Sequence, residues 1–287
     1  MNSESIQYFI KSFMGYLEGT GKSSHTIRNY GIDLQAFQNY IDALTPKRIL
    51  MTQILPEDVL QYSDYLKAQG LKTNTRRRRV LTLRKWLRYL KSRGKIGFDL
   101  ADQIPAPGKL ERVPKRISRS ELLQKIDALP DDEPIHGRNR ALLRTLAETG
   151  CLVSELVQLR FEDFKKGSVR FLGKRERTVA ISDRLFSEVQ GLKKFYTSAS
   201  HCFLSYGKSR FTQIPLTARA VELLFRQLEP AILPGFDSRT FRQAVILDWM
   251  SDGISEQEIQ KRLGLKSKYA FRVYFPLRSK TEATSSA

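Results

Sequence analysis

A chain of 287 residues, 41% apolar and 28% charged, is long enough for two domains that each bury a core of their own. It contains no apolar run near the roughly 18 residues of a membrane span and no N-terminal signal pattern, so a cytoplasmic protein is expected. Its 49 Lys and Arg against 30 Asp and Glu give a net charge of +19, which points to a polyanionic partner, because basic groups that meet phosphates release condensed counterions.

The charge is spread over the whole chain. Residues 1–100 hold 17 basic and 8 acidic residues and the rest hold 32 and 22, a distribution suited to a clamp that grips a nucleic-acid duplex from two sides. Cys151 and Cys202 lack CxxC spacing and sit in apolar surroundings, so buried thiols are expected. Nothing in the pattern calls for a metal or a small-molecule cofactor.

The first 92 residues read as a four-helix domain. Ile6, Phe9, Ile10, Phe13, Tyr16 and Leu17 recur at helical spacing, and Ser23 or Ser24 caps a second helix with Ile27, Tyr30, Leu34, Phe37, Tyr40 and Ile41 on one stripe. Pro56 opens a third helix that Gly70 ends. In the fourth, Thr73 to Gly94, Val80, Leu83, Trp86, Leu87 and Leu90 face inward. No acidic residue occurs from Lys72 to Gly94. Each helical step turns about 100°, so Arg76, Arg77, Arg78 and Arg79 form a collar around the first turn. With Arg84 and Arg88 they are candidates to track a phosphate backbone and reach base edges.

Periodicity stops at Gly94. Residues 93–116, with Pro105, Pro107 and Pro114, read as a stiff basic linker that can cross a nucleic-acid backbone. Beyond it, Ser118 and Glu121 form a capping-box pattern, and a helix over His136 to Gly150 packs through Ala141, Leu142, Leu146 and Ala147. The stretch from Cys151 reads as helical at first, then alternates through Val169, Phe171, Val179 and Ile181 around GKRER, a hairpin signature. Further helices are expected over Leu185–Tyr196 and Thr217–Leu228. A final pair follows: RQAVILDWM with Ala244, Ile246, Leu247 and Met250 on its apolar face, and a helix capped by Ser255 with Ile259 and Leu263 buried and Gly264 as its stop. Arg242 on that apolar helix needs a phosphate or carboxylate partner.

Four stretches together resemble the tyrosine recombinases, the Xer and phage integrase family. SHTIRNYGIDLQAF and TNTRRRRVLTLRKWLRYL resemble the opening and closing helices of that family's core-binding domain. TGCLVSELVQLRFEDF resembles its first signature box, and R-T-F-R-Q, then L-G-L, then Tyr274 resemble its C-terminal signature of H-x-L-R-H, L-G-H and a nucleophilic tyrosine. The resemblance implies a mainly α protein. It would have an N-terminal four-helix core-binding domain (1–92), a linker (93–116) and a C-terminal α+β catalytic-type domain (117–287) with a small β-sheet, arranged as a C-shaped clamp on double-stranded DNA.

Enzymes of this family attack a phosphodiester with the tyrosine oxygen, releasing a 5′ hydroxyl and forming a 3′-phosphotyrosyl link. A phenol with a pKa near 10 is a poor nucleophile at neutral pH. The site therefore needs cations against the phosphorane oxygens and an acid for the leaving oxygen. The resemblance puts Tyr274, Arg242 and Lys174 at the nucleophile, second arginine and lysine positions. It puts Leu152 at the first arginine position, and Arg239 and Leu265 at the two histidine-type positions. Arg239 can bind phosphate but not act as a base, and Leu265 can do neither.

The expectation is site-specific DNA binding and recombination with weakened or lost strand transfer. The alternative is a non-enzymatic DNA-binding regulator, architectural factor or partner of a homologous active recombinase subunit. An RNA binder is disfavoured because no RRM or KH signature is present. The polar stretch after Pro276 speaks against cyclic assembly through a C-terminal apolar helix.

Overall fold

The computed structural model describes residues 5–44, 50–51, 54–97, 99–110, 117–173, 176–196 and 200–265. The chain divides into two compact units, Met1–Arg112 and Val113–Ala287. Among the described residues no helix is long and apolar enough to cross a membrane.

The first unit is built from α1 (Ile6–Gly19), α2 (Ser24–Leu44), α3 (Pro56–Ala68) and α4 (Thr73–Ser92). Ser5 Oγ accepts the Tyr8 N–H at the start of α1, Ser23 Oγ accepts from Thr26 at the start of α2, and Pro56 occupies the first turn of α3. The expected stripes close the core: Phe13, Phe37, Tyr62 and Trp86 are fully buried, and Phe37 meets Tyr62 edge-on at 5.0 Å. Burying each such ring contributes on the order of 1.5–3 kcal/mol. The chain after α4 is part of this core, because Ile96, Leu100, Ala101 and Ile104 are buried in it. Much of the stretch expected to be connector therefore packs on the first unit.

The second unit has its own core, centred on α6 (Pro134–Thr149), in which every residue from Arg138 to Thr149 is buried except the partly buried Arg140. Around it lie α5 (Arg119–Asp127), the single-turn α7 (Val153–Leu156), α8 (Asp183–Gly191), α9 (Ala218–Ile232), α10 (Ser238–Ser251) and α11 (Glu256–Leu263). Strands β1 (Phe164–Lys165), β2 (Ser168–Phe171) and β3 (Arg177–Ala180) form an antiparallel sheet in sequence order, with Val169 opposite Val179.

Three expectations need correction here. The helix expected at the front of the signature box is only one turn long, because the Leu159 carbonyl accepts from Cys202 and the Ser200 carbonyl accepts from Phe161, pulling the chain into extended contacts. On α10 the buried residues are Thr240, Phe241, Ala244, Val245, Ile246 and Trp249, while Leu247 and Met250 are only partly buried. A second hairpin, β4 (Leu204–Gly207) and β5 (Arg210–Pro215), occupies a stretch for which the sequence suggested no element. Its turn residues Lys208 and Ser209 both have positive φ, 51° and 58°, without the Asn-Gly pair that usually marks such a turn.

Candidate active site and nucleic-acid interface

Arg239 and Arg242 both belong to α10, whose start is fixed by Asp237: Oδ1 of its carboxylate accepts the N–H groups of Arg239 and Thr240. Three residues apart, the two arginines lie on neighbouring positions of one helical face. Their surroundings differ. Arg239 is exposed, and its guanidinium makes no hydrogen bond or ion pair among the described residues. The Arg242 side chain is partly buried and donates to the Gly150 carbonyl at 2.8 Å and the Leu263 carbonyl at 3.2 Å.

These acceptors close two helices. Gly150 is the left-handed cap of α6, with φ 60°, and a Cβ there would lie 3.1 Å from Leu263 Cδ2. Gly264 caps α11 in the same conformation, with φ 61°. Where a phosphate or carboxylate partner is expected for Arg242, the structure supplies carbonyl oxygens at two helix C-termini, where a cation is favoured. The arginine ties the ends of α6 and α11 together.

A second guanidinium stands beside this one. Arg177, buried at the start of β3, donates to both oxygens of Glu155 at 2.7 and 2.8 Å and, through Nε, to the Arg262 carbonyl at 2.7 Å. It also stacks over the Phe171 ring at 4.4 Å. Burial alone would raise the Glu155 carboxyl, but bonds from Arg177 and the Leu152 N–H, with the Arg177 and Arg242 charges, hold it below its ordinary value. Neither Glu155 nor Arg177 is among the candidate site residues of the sequence. The available signal was alternation: Arg177 shares a strand face with Val179, and an inward guanidinium requires a carboxylate.

Leu152 lies at the N-cap of α7, its N–H bonded to Glu155 Oε2 at 2.8 Å, and its side chain is 38% exposed. Leu265 is partly buried against the second core. Lys174 and Tyr274 lie outside the described residues, as does the polar stretch after Pro276. The structure thus brings together Arg242, Glu155, Arg177 and the end of α11, with Leu152 at the edge through its backbone.

The thiol of Cys151, free and fully enclosed, is pushed up to about 12 by burial; Cys202 is likewise free and buried. His136 pairs with Asp132 at 2.8 Å, and His201 forms a strand-like bridge with Arg160, so both have surface or structural surroundings.

On α4 the six arginines do not share one environment. Arg77 donates to the Pro107 carbonyl at 2.7 Å, Arg84 to the Ile104 carbonyl at 3.1 Å, and Arg88 pairs with Asp102. These three hold the chain after α4 against the helix. Arg76 donates to the Thr73 hydroxyl at 3.3 Å. Arg78 bonds to Asp33 at 2.6 Å, and Arg79 lies 3.9 Å from the other oxygen of that carboxylate. The arginines expected as a phosphate-tracking collar thus also bind oxygens of the first unit, because the chain after α4 and α2 supply acceptors that helical periodicity does not reveal. Only Arg78 and Arg88 of the six are exposed.

Comparison with known proteins agrees with this architecture. Residues 10–94 match the phage integrase N-terminal SAM-like domain, and residues 115–280 match the phage integrase family. The chain is 25% identical over 268 residues to tyrosine recombinase XerD of Shewanella oneidensis, covering 88% of this chain and 86% of the relative. It is 25% identical over 291 residues to tyrosine recombinase XerC of Leptospira interrogans, covering 95% and 90%. In fold it is similar to XerH site-specific recombinase bound to palindromic difH substrate, with a TM-score of 0.70 and 18% identity over 91% of this chain and 79% of that one. It is also similar to the Tn1549 transposon integrase in complex with circular intermediate DNA, with a TM-score of 0.70 and 14% identity over 95% of each. With its catalytic-type family model matched over more than half of its length, the chain belongs to the phage integrase family and is a tyrosine recombinase of the Xer type.

Proposed function

We propose that the protein binds a specific duplex DNA site and carries a strand-transfer centre of reduced power, with Tyr274 as nucleophile, Arg242 and Arg239 as phosphate donors and Lys174 as acid. The observation that carries this reading is the contrast between an exposed Arg239, without a side-chain partner among the described residues, and an aliphatic side chain at 152, within a chain that keeps the family's frame. In the reaction the Tyr274 oxygen attacks phosphorus, the bond to the 5′ oxygen breaks, and that oxygen takes a proton as it leaves. Charge grows on the non-bridging oxygens, where guanidiniums stabilise it most.

The missing donors set the scale of the defect. Loss of one preorganised donor costs on the order of 10²–10³ in rate. Two losses in one site, at 152 and 265, do not simply multiply, because groups acting on one transition state are not additive. Arg239 returns the guanidinium count near the phosphate to two.

A second reading, a DNA-binding partner that leaves cleavage to a homologous subunit, is favoured by the same two aliphatic positions. The experiment begins by selecting a site from a randomised duplex library. A nicked version of that site then traps the covalent intermediate, and Tyr274→Phe serves as control. A slow adduct that the control abolishes supports the first reading, whereas tight binding with no adduct supports the second. Failure to bind any duplex would defeat both.

A further inference from the structure

The side chain of Asp33 is fully buried at the junction of α2 and α4. Its Oδ2 accepts from Arg78 at 2.6 Å and from the Thr82 hydroxyl at 3.0 Å. Arg79 approaches Oδ1 at 3.9 Å, and the Tyr62 hydroxyl is buried close to this group. A buried carboxylate is costly, and Arg78, Arg79 and the Thr82 hydroxyl offset only part of that cost: Oδ1 has no hydrogen-bond partner among the described residues, and burial holds the carboxyl above its ordinary value.

The Arg78 side chain is still 44% exposed. Its guanidinium has five N–H donors in a rigid fork, and among the described residues Asp33 is its hydrogen-bonding partner. One edge is pinned from inside the unit while the rest of the fork faces solvent. A free arginine must surrender side-chain entropy to hold a phosphate, and this one has already surrendered it.

We propose that Asp33 is a positioning residue: it orients the Arg78 guanidinium so that its outer donors meet a backbone phosphate of duplex DNA. This inference rests on the proposed function, duplex binding, and adds the group that sets the geometry of one contact. It also gives the acidic position in SHTIRNYGIDLQAF a purpose beyond packing.

The test measures binding of the full chain to a labelled mixed-sequence duplex over a salt series, since phosphate contacts need no particular sequence. Asp33→Asn is expected to weaken binding about tenfold at a given salt, the size of a coupling within one network. Its salt slope is expected to stay unchanged, because Arg78 keeps its charge. Arg78→Ala is expected to lower the slope by about 0.9, one phosphate contact. In the Arg78→Ala background, Asp33→Asn is then expected to have little further effect.

Additive losses in that double variant would show a merely structural role and overturn the proposal. Unchanged or tighter binding by Asp33→Asn would do the same, since the carboxylate would then only repel DNA. Should Asp33→Asn fail to fold, Arg78→Lys decides: it keeps the charge, lacks the fork, and is expected to bind severalfold more weakly at equal slope, with wild-type affinity overturning the proposal. A wild-type chain with no salt-dependent duplex binding refutes duplex recognition itself, and the positioning role with it.

Discussion

Arg177 holds both carboxylate oxygens of Glu155, at 2.7 and 2.8 Å, joining the first residue of β3 to the single turn of α7. The two are 22 residues apart, and their side chains retain only 4% and 17% of their exposure. The pair fixes the strand and the signature box to one another directly beside Arg242.

Removing one partner of a buried pair leaves the other charge uncompensated, at a cost of about 3–5 kcal/mol. Arg177→Ala is therefore expected to lower the stability of the second unit by that amount in urea titration. A loss under about 1 kcal/mol would show that the pair is not a structural anchor.

The Glu155 carboxyl titrates below its ordinary value of 4.5 in the folded state. A depressed carboxyl contributes stability that is fully present above the unfolded value and is lost as pH falls through the folded one. The stability gap between wild type and Glu155→Gln is thus expected to be constant at neutral pH and to narrow below about pH 4.5. Parallel stability curves down to strongly acidic pH would contradict this.

Arg239 and Arg242 should separate stability from chemistry. Arg239→Ala removes an exposed side chain that has no partner among the described residues, so its thermal stability is expected within about 0.5 kcal/mol of wild type. Covalent adduct formation on a nicked site is expected to fall by about 10²–10³. Arg242→Ala also loses bonds to Gly150 and Leu263 and is expected to lower both readouts. Equal destabilisation by the two changes would refute the distinction.

Leu152→Arg restores a guanidinium at an exposed helix start whose backbone N–H is already held by Glu155. No core packing is lost, so folding should be little affected. Adduct formation is expected to rise by about 10², one donor's worth. An unchanged rate would mean that the defect lies elsewhere.

The sequence by itself determined the local order of the chain. Apolar residues at helical spacing, serine caps, Pro56 and the stops at Gly150 and Gly264 specify helices through interactions within a few residues, and the structure has them. The β4–β5 hairpin escaped because Lys208 and Ser209 adopt a turn conformation that their side chains do not advertise. The destinations of the arginines were decided only by tertiary structure. Arg242 donates to an acceptor 92 residues away, Arg177 to one 85 residues away, and Arg78 to a carboxylate 45 residues away. A guanidinium is a long fork that takes whichever oxygen the packed chain brings within reach, so its partner is set by the meeting of distant elements.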